Sequence, residues 1–142
     1  MEVDTISSQV KKMQRTQVAL IFADHDMDCV TCGRYGNCEL LQLARNLGVQ
    51  KAPFTGKFIA ERKVDHTDPA IELDVNKCVR CMRCVEVCNK IQGIGALRID
   101  EIGTKAGVCL NGTKDWVDST KCVRCGQCIM VCPTGALMST DN

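Results

Sequence analysis

The sequence predicts an α+β protein in two parts, a small helical domain followed by a domain of short strands and helices. Three observations support this prediction. Apolar residues near the start recur at the spacing of an amphipathic helix, one cysteine spacing occurs twice further along, and short apolar stretches flank both cysteine runs. The predicted boundaries are residues 1–48 for the helical domain, 49–69 for a linker and 70–142 for the second domain.

The helical domain is predicted to begin with an amphipathic helix over residues 5–23. Its apolar residues recur at mostly three- to five-residue intervals, and basic residues lie between them. They are Ile6, Val10, Met13, Val18, Ile21 and Phe22. A second helix is predicted over residues 37–46, with Gly48 as its C-terminal stop. His25 follows the first helix directly, so the residues between the two helices should be held close together.

The predicted linker, residues 49–69, contains Pro53, Gly56 and mixed charges without periodicity, which is typical of a surface segment. His66 has no cysteine near it in sequence and is interpreted as an ordinary surface histidine. Short strands are predicted around residues 71–73, 96–99 and 116–117.

Two runs in the second domain have the spacing C-x2-C-x2-C-x3-C. Bacterial ferredoxins with two 4Fe-4S clusters have this spacing, and in them the fourth cysteine of each run ligates the other cluster. The predicted ligands of cluster 2 are Cys78, Cys81, Cys84 and Cys132. Those of cluster 3 are Cys88, Cys122, Cys125 and Cys128. Crossed ligation requires the two clusters to lie close together.

The two runs belong to an internal duplication with a period of 44 residues. Residues 77–81 and 121–125 have the same sequence, which predicts two copies of a strand, a cluster loop and a helix related by an approximate two-fold axis. Met82 in the first copy corresponds to Gly126 in the second. A glycine lets backbone amides approach the cluster sulfurs, so unequal potentials are predicted. The alternative is that Met82 serves only in packing.

A third group of metal-ligand candidates follows the first helix with the spacing H-x3-C-x2-C-x5-C. Its members, the predicted ligands of cluster 1, are His25, Cys29, Cys32 and Cys38. Three cysteines alone leave one corner of a 4Fe-4S cube without a protein ligand, so His25 is the candidate for that corner. A neutral imidazole makes the cluster less negative by one charge, which should change its potential. Cys109 is left over, either as a small apolar residue or as an alternative fourth ligand.

Zinc and disulfides are the alternative uses of these cysteines. Zinc sites usually combine two short pairs that are distant in sequence, so zinc fits the His25 group better than the two continuous runs. Disulfides need an oxidising compartment and usually a secretory signal, whereas the chain starts Met1-Glu2-Val3-Asp4 without an apolar segment. The expected location is the cytoplasm.

Composition limits the functions further. With 142 residues, 45% of them hydrophobic but only 4% aromatic, the chain should depend on metal ligation for much of its folding free energy. The formal net charge of +1 gives no basic excess for nucleic acid. The apolar run 18–23 is too short to span a bilayer. A glycine-rich dinucleotide fingerprint and a nucleophile-base pair are both absent from the sequence, which favours electron transfer over bond chemistry.

The order of these motifs resembles the iron-sulfur accessory region of iron-only hydrogenases and of the related large NADH-dehydrogenase subunit. The resemblance covers nearly the whole chain and rests on the His25 group with Asn37-Cys38-Glu39-Leu40, on Asn76-Lys77-Cys78 and on Cys132-Pro133-Thr134-Gly135-Ala136-Leu137. It implies a histidine-ligated 4Fe-4S cluster and a ferredoxin-like domain with two more 4Fe-4S clusters and pseudo-two-fold symmetry. The plant-type 2Fe-2S domain and the catalytic domain usual in the family have no counterpart in this sequence.

The expected function is that of a non-catalytic electron-transfer subunit with three 4Fe-4S clusters. By resemblance, its partners in a hetero-oligomer would be a flavin- and NAD(P)H-handling subunit and a catalytic hydrogenase or formate dehydrogenase subunit, for example in an electron-bifurcating complex. Arg80, Arg83 and Arg124 beside the cluster loops are candidate docking charges or else solvated side chains. A redox sensor, a cluster carrier and a fragment of a longer chain are the alternatives. The start at Met1 and the polar tail 138–142 favour a free-standing subunit.

Overall fold

A computed structural model describes residues 3–53, 64–100, 106–111 and 121–140. The helices are α1 (Ser8–Ala23), α2 (Glu39–Leu47), α3 (Arg83–Glu86) and α4 (Gln127–Val131). The strands are β1 (Ile71–Leu73), β2 (Leu97–Asp100), β3 (Gly107–Leu110) and β4 (Leu137–Ser139). A 3-10 turn (Val75–Lys77) follows β1, and a π-helical turn (Val87–Ile91) continues α3. Within these described ranges, no helix is long and apolar enough to cross a membrane.

Helix α1 begins at Ser8, later than its apolar pattern predicts. The Ser7 hydroxyl accepts a hydrogen bond from the Val10 N–H (3.3 Å), which caps the helix at this point. Ile6 and Met13, two of the apolar residues on which the helix prediction depends, are 75% and 61% exposed. The buried residues of α1 are Val18, Phe22 and Ala23, so its packed face lies near its C-terminal end.

Helix α2 begins directly after Cys38 and ends at Gly48, which adopts the left-handed conformation (φ 69°) that favours glycine. The predicted helix over residues 37–46 is confirmed to within two residues at its start and one at its end. The core of the first part consists of Val18, Phe22, Leu40 and Ala44. Val79 from the second part of the chain packs against this core, so the two helices also contact the first cysteine run.

The second part contains two antiparallel strand pairs. Strand β1 pairs with β4, with Ile71 opposite Ser139, and β2 pairs with β3, with Leu97 opposite Leu110. The strands predicted around residues 71–73 and 96–99 are confirmed as β1 and β2. The strand predicted at 116–117 lies outside the described residues. Because the first and last strands are neighbours, both cysteine runs are brought into one core.

The end of the predicted linker is not laid over the surface. Asp68 is fully buried, and its Oδ1 accepts hydrogen bonds from the Ala70 N–H (2.9 Å) and the Ile71 N–H (3.1 Å). Asp68 therefore fixes the backbone at the start of β1. The sequence did not indicate this role, because an aspartate in a charged segment is typical of a solvated residue. His66 is exposed as predicted, and its Nδ1 lies 3.0 Å from a Glu72 carboxylate oxygen.

Candidate metal centres

The cysteines assigned to cluster 2 line a single cavity. They come from both runs: Cys78, Cys81, Cys84 and Cys132. The first three lie on the loop before α3 and in α3 itself, and Cys132 follows α4. Leu73, Val108 and Leu137 are among the other lining residues, so the cavity has apolar walls.

A second cavity is lined by the cysteines assigned to cluster 3. They are Cys88, Cys122, Cys125 and Cys128. Cys88 lies in the π-helical turn after α3, whereas the other three belong to the second run. The fold thus groups the cysteines across the two runs, in the pattern that the spacing predicts, rather than run by run.

Burial of these thiols makes their ionised form unfavourable in the chain alone. It raises the pKa of Cys84 and of Cys128 to about 12, and the neighbouring cysteines contribute in the same direction. Bound iron supplies the positive charge that makes a buried thiolate stable. Within the described chain, no three His, Cys, Asp or Glu side chains converge as they would on a single metal ion. Cysteines spread around a cavity fit a multi-atom cluster.

The two cluster loops have matching backbones. Arg80 and Arg124 occupy equivalent positions and have φ angles of 56° and 53°, and Met82 and Gly126 have φ angles of 62° and 74°. The left-handed turn points the Arg80 N–H at the Cys78 sulfur, 3.4 Å away. Because Met82 adopts the conformation of its glycine counterpart, the backbone course alone does not distinguish the two loops.

His25 has the features of a metal ligand. It is 7% exposed, follows the C-terminal end of α1, and its Nδ1 has no hydrogen-bond partner in the described part of the protein. Burial lowers the pKa of His25, against the opposing effects of Asp26 and Asp74. The neutral imidazole is therefore favoured at pH 7, and a buried nitrogen without a partner is expected to have a ligand.

The three cysteines of the His25 group lie together between α1 and α2. Burial raises the pKa of Cys29, and the thiols of Cys38 and Cys32 add to the effect, so the three sulfurs are close enough to interact. Cys32 also meets the second part of the chain: a Cβ placed on Gly135 would lie 2.6 Å from its sulfur. Glycine at this position leaves room for the sulfur.

Hydrogen bonds to backbone carbonyls connect the His25 group to residues at and near the cluster 2 cavity. The Arg34 guanidinium donates to the Cys132 carbonyl (2.6 Å), and the Glu39 N–H donates to the Pro133 carbonyl (2.9 Å). The Asp26 N–H donates to the Asn76 carbonyl (3.1 Å). Sequence reasoning missed Arg34, because no local pattern relates two residues 98 positions apart.

The arginines predicted as docking charges are engaged within the chain. Arg80 pairs with Asp24 (2.5 Å), Arg83 binds Glu39 through two hydrogen bonds (2.6 and 2.9 Å), and Arg124 pairs with Asp68 (2.7 Å). Their guanidinium groups have partners within the chain, and a docking role for them stays a prediction. Two of the three pairs join the helical part to a cluster 2 loop.

Cys109 lies on β3, opposite Arg98 of β2, and is half-buried. It lines neither of the two cysteine cavities. Its position in a strand pair favours the packing interpretation over that of an alternative ligand.

Two family models match the chain. The model described as the NADH-ubiquinone oxidoreductase-G iron-sulfur binding region matches residues 14–53, which include the His25 group. The model described as a 4Fe-4S dicluster domain matches residues 77–136, which include both cysteine runs. The first match includes most of the helical part, and the second includes the cluster loops together with β2 and β3.

Curated proteins with similar sequences are much longer than this chain. The NADP-reducing hydrogenase subunit HndD of Solidesulfovibrio fructosivorans is 38% identical over 97 residues, which are 68% of this chain and 16% of that protein. A putative formate dehydrogenase of Bacillus subtilis is 34% identical over 70% of this chain and 10% of its own length. NADH-quinone oxidoreductase subunit 3 of Thermus thermophilus is 31% identical over 82% of this chain and 16% of its own length.

A solved structure shares the fold. The chain superposes on a crystal structure of an NAD+-reducing NiFe-hydrogenase with a TM-score of 0.84 and 25% sequence identity. The match covers 95% of this chain and 57% of the hydrogenase chain.

Proposed function

Because this chain is an iron-sulfur region of the kind shared by hydrogenases and the G subunits of NADH-quinone oxidoreductases, we propose that it transfers electrons through three 4Fe-4S clusters. Each cluster supplies one-electron redox chemistry when bound. The chain provides the ligands, a largely apolar enclosure and fixed spacing between the sites. The observation that carries this proposal is the grouping of eight cysteines from two runs around two cavities.

The proposed ligands follow the predicted sets. Cluster 1 is held by His25, Cys29, Cys32 and Cys38, cluster 2 by Cys78, Cys81, Cys84 and Cys132, and cluster 3 by Cys88, Cys122, Cys125 and Cys128. The crossed cavities support the last two sets, and the partnerless Nδ1 of His25 supports the first. The antiparallel pairs β1–β4 and β2–β3 agree with a pseudo-two-fold arrangement of the second part.

The order of the sites along the proposed path is cluster 1, cluster 2, cluster 3. Arg34 and Glu39 of the first part bind the carbonyls of Cys132 and Pro133, which adjoin cluster 2. Helix α3 contains Cys84, a proposed ligand of cluster 2, and the neighbouring helix α4 contains Cys128, a proposed ligand of cluster 3. Cluster 2 is therefore the middle site, and electrons enter or leave at the His25 site and at the cluster 3 site.

The proposed partners are two oxidoreductase subunits in a hetero-oligomer. The similar proteins include an NADP-reducing hydrogenase subunit, a putative formate dehydrogenase and an NAD+-reducing hydrogenase. We extend these names to this chain as the proposal that it connects a flavin- and NAD(P)H-handling subunit to a hydrogenase or formate dehydrogenase subunit. The proposal includes an electron-bifurcating complex as one assembly in which the chain would connect these two subunits. Firmly buried ligands such as Cys84, Cys88 and Cys128 argue against a carrier that donates its clusters.

Anaerobic reconstitution tests the proposal. We expect about twelve iron and twelve sulfide per chain, since each of three 4Fe-4S clusters contains four of each. Separate waves in a redox titration monitored by electron paramagnetic resonance are also expected, because the three sites differ in ligands and surroundings. Reduction by NADH in the presence of a flavoprotein tests the path. An iron content near eight would remove cluster 1 from the proposal, and rapid transfer of clusters to an apo-acceptor would favour a carrier.

A further inference from the structure

Two lysines in the duplicated sequence have different surroundings. Lys77 and Lys121 each precede the first cysteine of an identical Lys-Cys-Val-Arg-Cys segment. Lys121 is exposed, whereas the side chain of Lys77 is only 19% exposed and its Nζ lies 3.0 Å from Oδ2 of the buried Asp74. The difference arises because the helical part covers the first copy.

The Lys77 side chain lies beside a cluster 1 ligand. A Cβ on Gly135 would lie 2.6 Å from the Cys32 sulfur and 3.6 Å from Lys77 Cδ. The aliphatic stem of Lys77 and the Cys32 sulfur therefore flank the same point. Although Lys77 precedes the cluster 2 ligand Cys78 in sequence, its side chain reaches the neighbouring site.

Hydrogen bonds fix the backbone of Lys77 and the side chain of its partner, Asp74. The Lys77 carbonyl accepts a hydrogen bond from the fully buried Thr134 hydroxyl (2.7 Å), and its N–H donates to the Asp74 carbonyl (3.1 Å). Asp74 is held in turn, since its Oδ1 accepts from the Asn76 N–H and side-chain amide, both at 3.0 Å. The position of the charge is set by the fold.

We propose that Lys77 is an electrostatic tuning residue that raises the midpoint potential of cluster 1. The inference rests on the proposed function, since it requires a cluster on the His25 group. A reduced cluster carries one more negative charge than an oxidised one, so a nearby fixed cation favours the reduced form. Solvent and salt screen the exposed Lys121, which should have little effect.

Redox titrations of the reconstituted chain, monitored by electron paramagnetic resonance, test this inference. The cluster 1 wave is identified as the one that moves in His25→Cys. Lys77→Met keeps part of the aliphatic stem but removes the charge and leaves Asp74 unneutralised, so both changes lower the potential. At the wild-type midpoint, we expect the oxidised-to-reduced ratio of cluster 1 to rise about tenfold, where tenfold equals 59 mV for a one-electron couple.

Three further variants complete the test. Lys77→Arg should retain the wild-type potential, and Lys121→Met, the matched control, should leave the cluster 1 wave in place. Asp74→Asn should move that wave to higher potential, which keeps the test decisive if Lys77→Met does not load its clusters. An unmoved wave in both charge variants, or an equal shift in Lys121→Met, would overturn the tuning role. Absence of any wave that depends on His25 would instead refute the proposed function.

Discussion

At the residue scale, two residues carry most of the information on the proposed cluster 1. His25 contributes a buried imidazole whose Nδ1 lacks a hydrogen-bond partner in the described residues. Gly135 provides the space that the Cys32 sulfur occupies. The first is a residue that the spacing of the sequence singles out. The second becomes visible only when the two parts of the chain are docked.

We expect His25→Ala to lose or convert cluster 1, because the variant lacks the proposed fourth ligand. Iron content should fall from about twelve to about eight per chain if the cluster is lost, since one 4Fe-4S cluster contains four irons. Cys109→Ser is the control and should keep the wild-type iron content, as Cys109 lies apart in a strand pair. Loss of a cluster in Cys109→Ser would show that the ligand assignment is wrong.

We expect Gly135→Ala to disturb cluster 1 specifically, because its methyl group would lie 2.6 Å from the Cys32 sulfur. The electron paramagnetic resonance signal assigned to cluster 1 should shift or broaden at unchanged temperature and pH. Gly126→Ala is the matched control beside cluster 3, where no atom lies within 4 Å of the added carbon. That control introduces backbone strain of about 1 kcal/mol at φ 74° but no contact with cluster 1. An unaltered cluster 1 signal in Gly135→Ala would contradict the close approach.

At the element scale, the two cluster loops are built alike but anchored differently. Both contain an arginine in the left-handed conformation, and each arginine pairs with a carboxylate. Arg80 reaches Asp24 at the end of α1, whereas Arg124 reaches the buried Asp68 before β1. The same local sequence therefore connects the first loop to the helical part and the second loop to the sheet.

Arg124→Gln should destabilise the protein more than a comparable change in an exposed pair. It leaves the Asp68 carboxylate buried with one oxygen unpartnered, which costs about 2 kcal/mol. The urea midpoint of the cluster-loaded chain should fall accordingly. Arg83→Gln is the control and should leave the midpoint almost unchanged, since its partner Glu39 is exposed. Equal effects of the two substitutions would contradict the importance of the buried carboxylate.

At the scale of the whole molecule, several of the cysteines proposed to hold the clusters lie in the interior of a small fold. The core of the second part includes Cys84, Cys88, Cys128 and Cys132 together with the strand residues. Among the residues that the structure describes, the core of the first part includes four buried residues, and one side chain from the cluster 2 loop, Val79, packs on it. Stability and cluster binding are therefore closely coupled.

Removal of iron by an anaerobic chelator should abolish cooperative unfolding. Without iron, the chain would retain two cavities lined by cysteines, and it would lack the metal-ligand bonds that connect the two cysteine runs. Urea titration followed by circular dichroism should change from a sigmoidal to a gradual profile, and restored iron and sulfide should recover the sigmoid. A sharp transition in the iron-free chain would contradict a fold that depends on its clusters.

The amino-acid sequence by itself predicted the α+β class, the strands β1 and β2, the second helix and the resemblance to hydrogenase and NADH-dehydrogenase iron-sulfur regions. These features depend on local periodicity and on cysteine spacing. Both can be recognised in the sequence because they are set by residues close to one another along the chain. The ligand sets stay predictions, although the two cavities group eight of the cysteines as expected.

Only the tertiary structure decided how the two parts meet. The surroundings of Lys77 and Lys121 differ although their local sequences are identical, and Asp68 is buried although its segment resembles a linker. The start of α1 likewise depended on the Ser7 cap rather than on apolar spacing. Such differences arise from contacts between residues far apart in sequence, like Arg34 and Cys132, whose free energy depends on packing that no local pattern encodes.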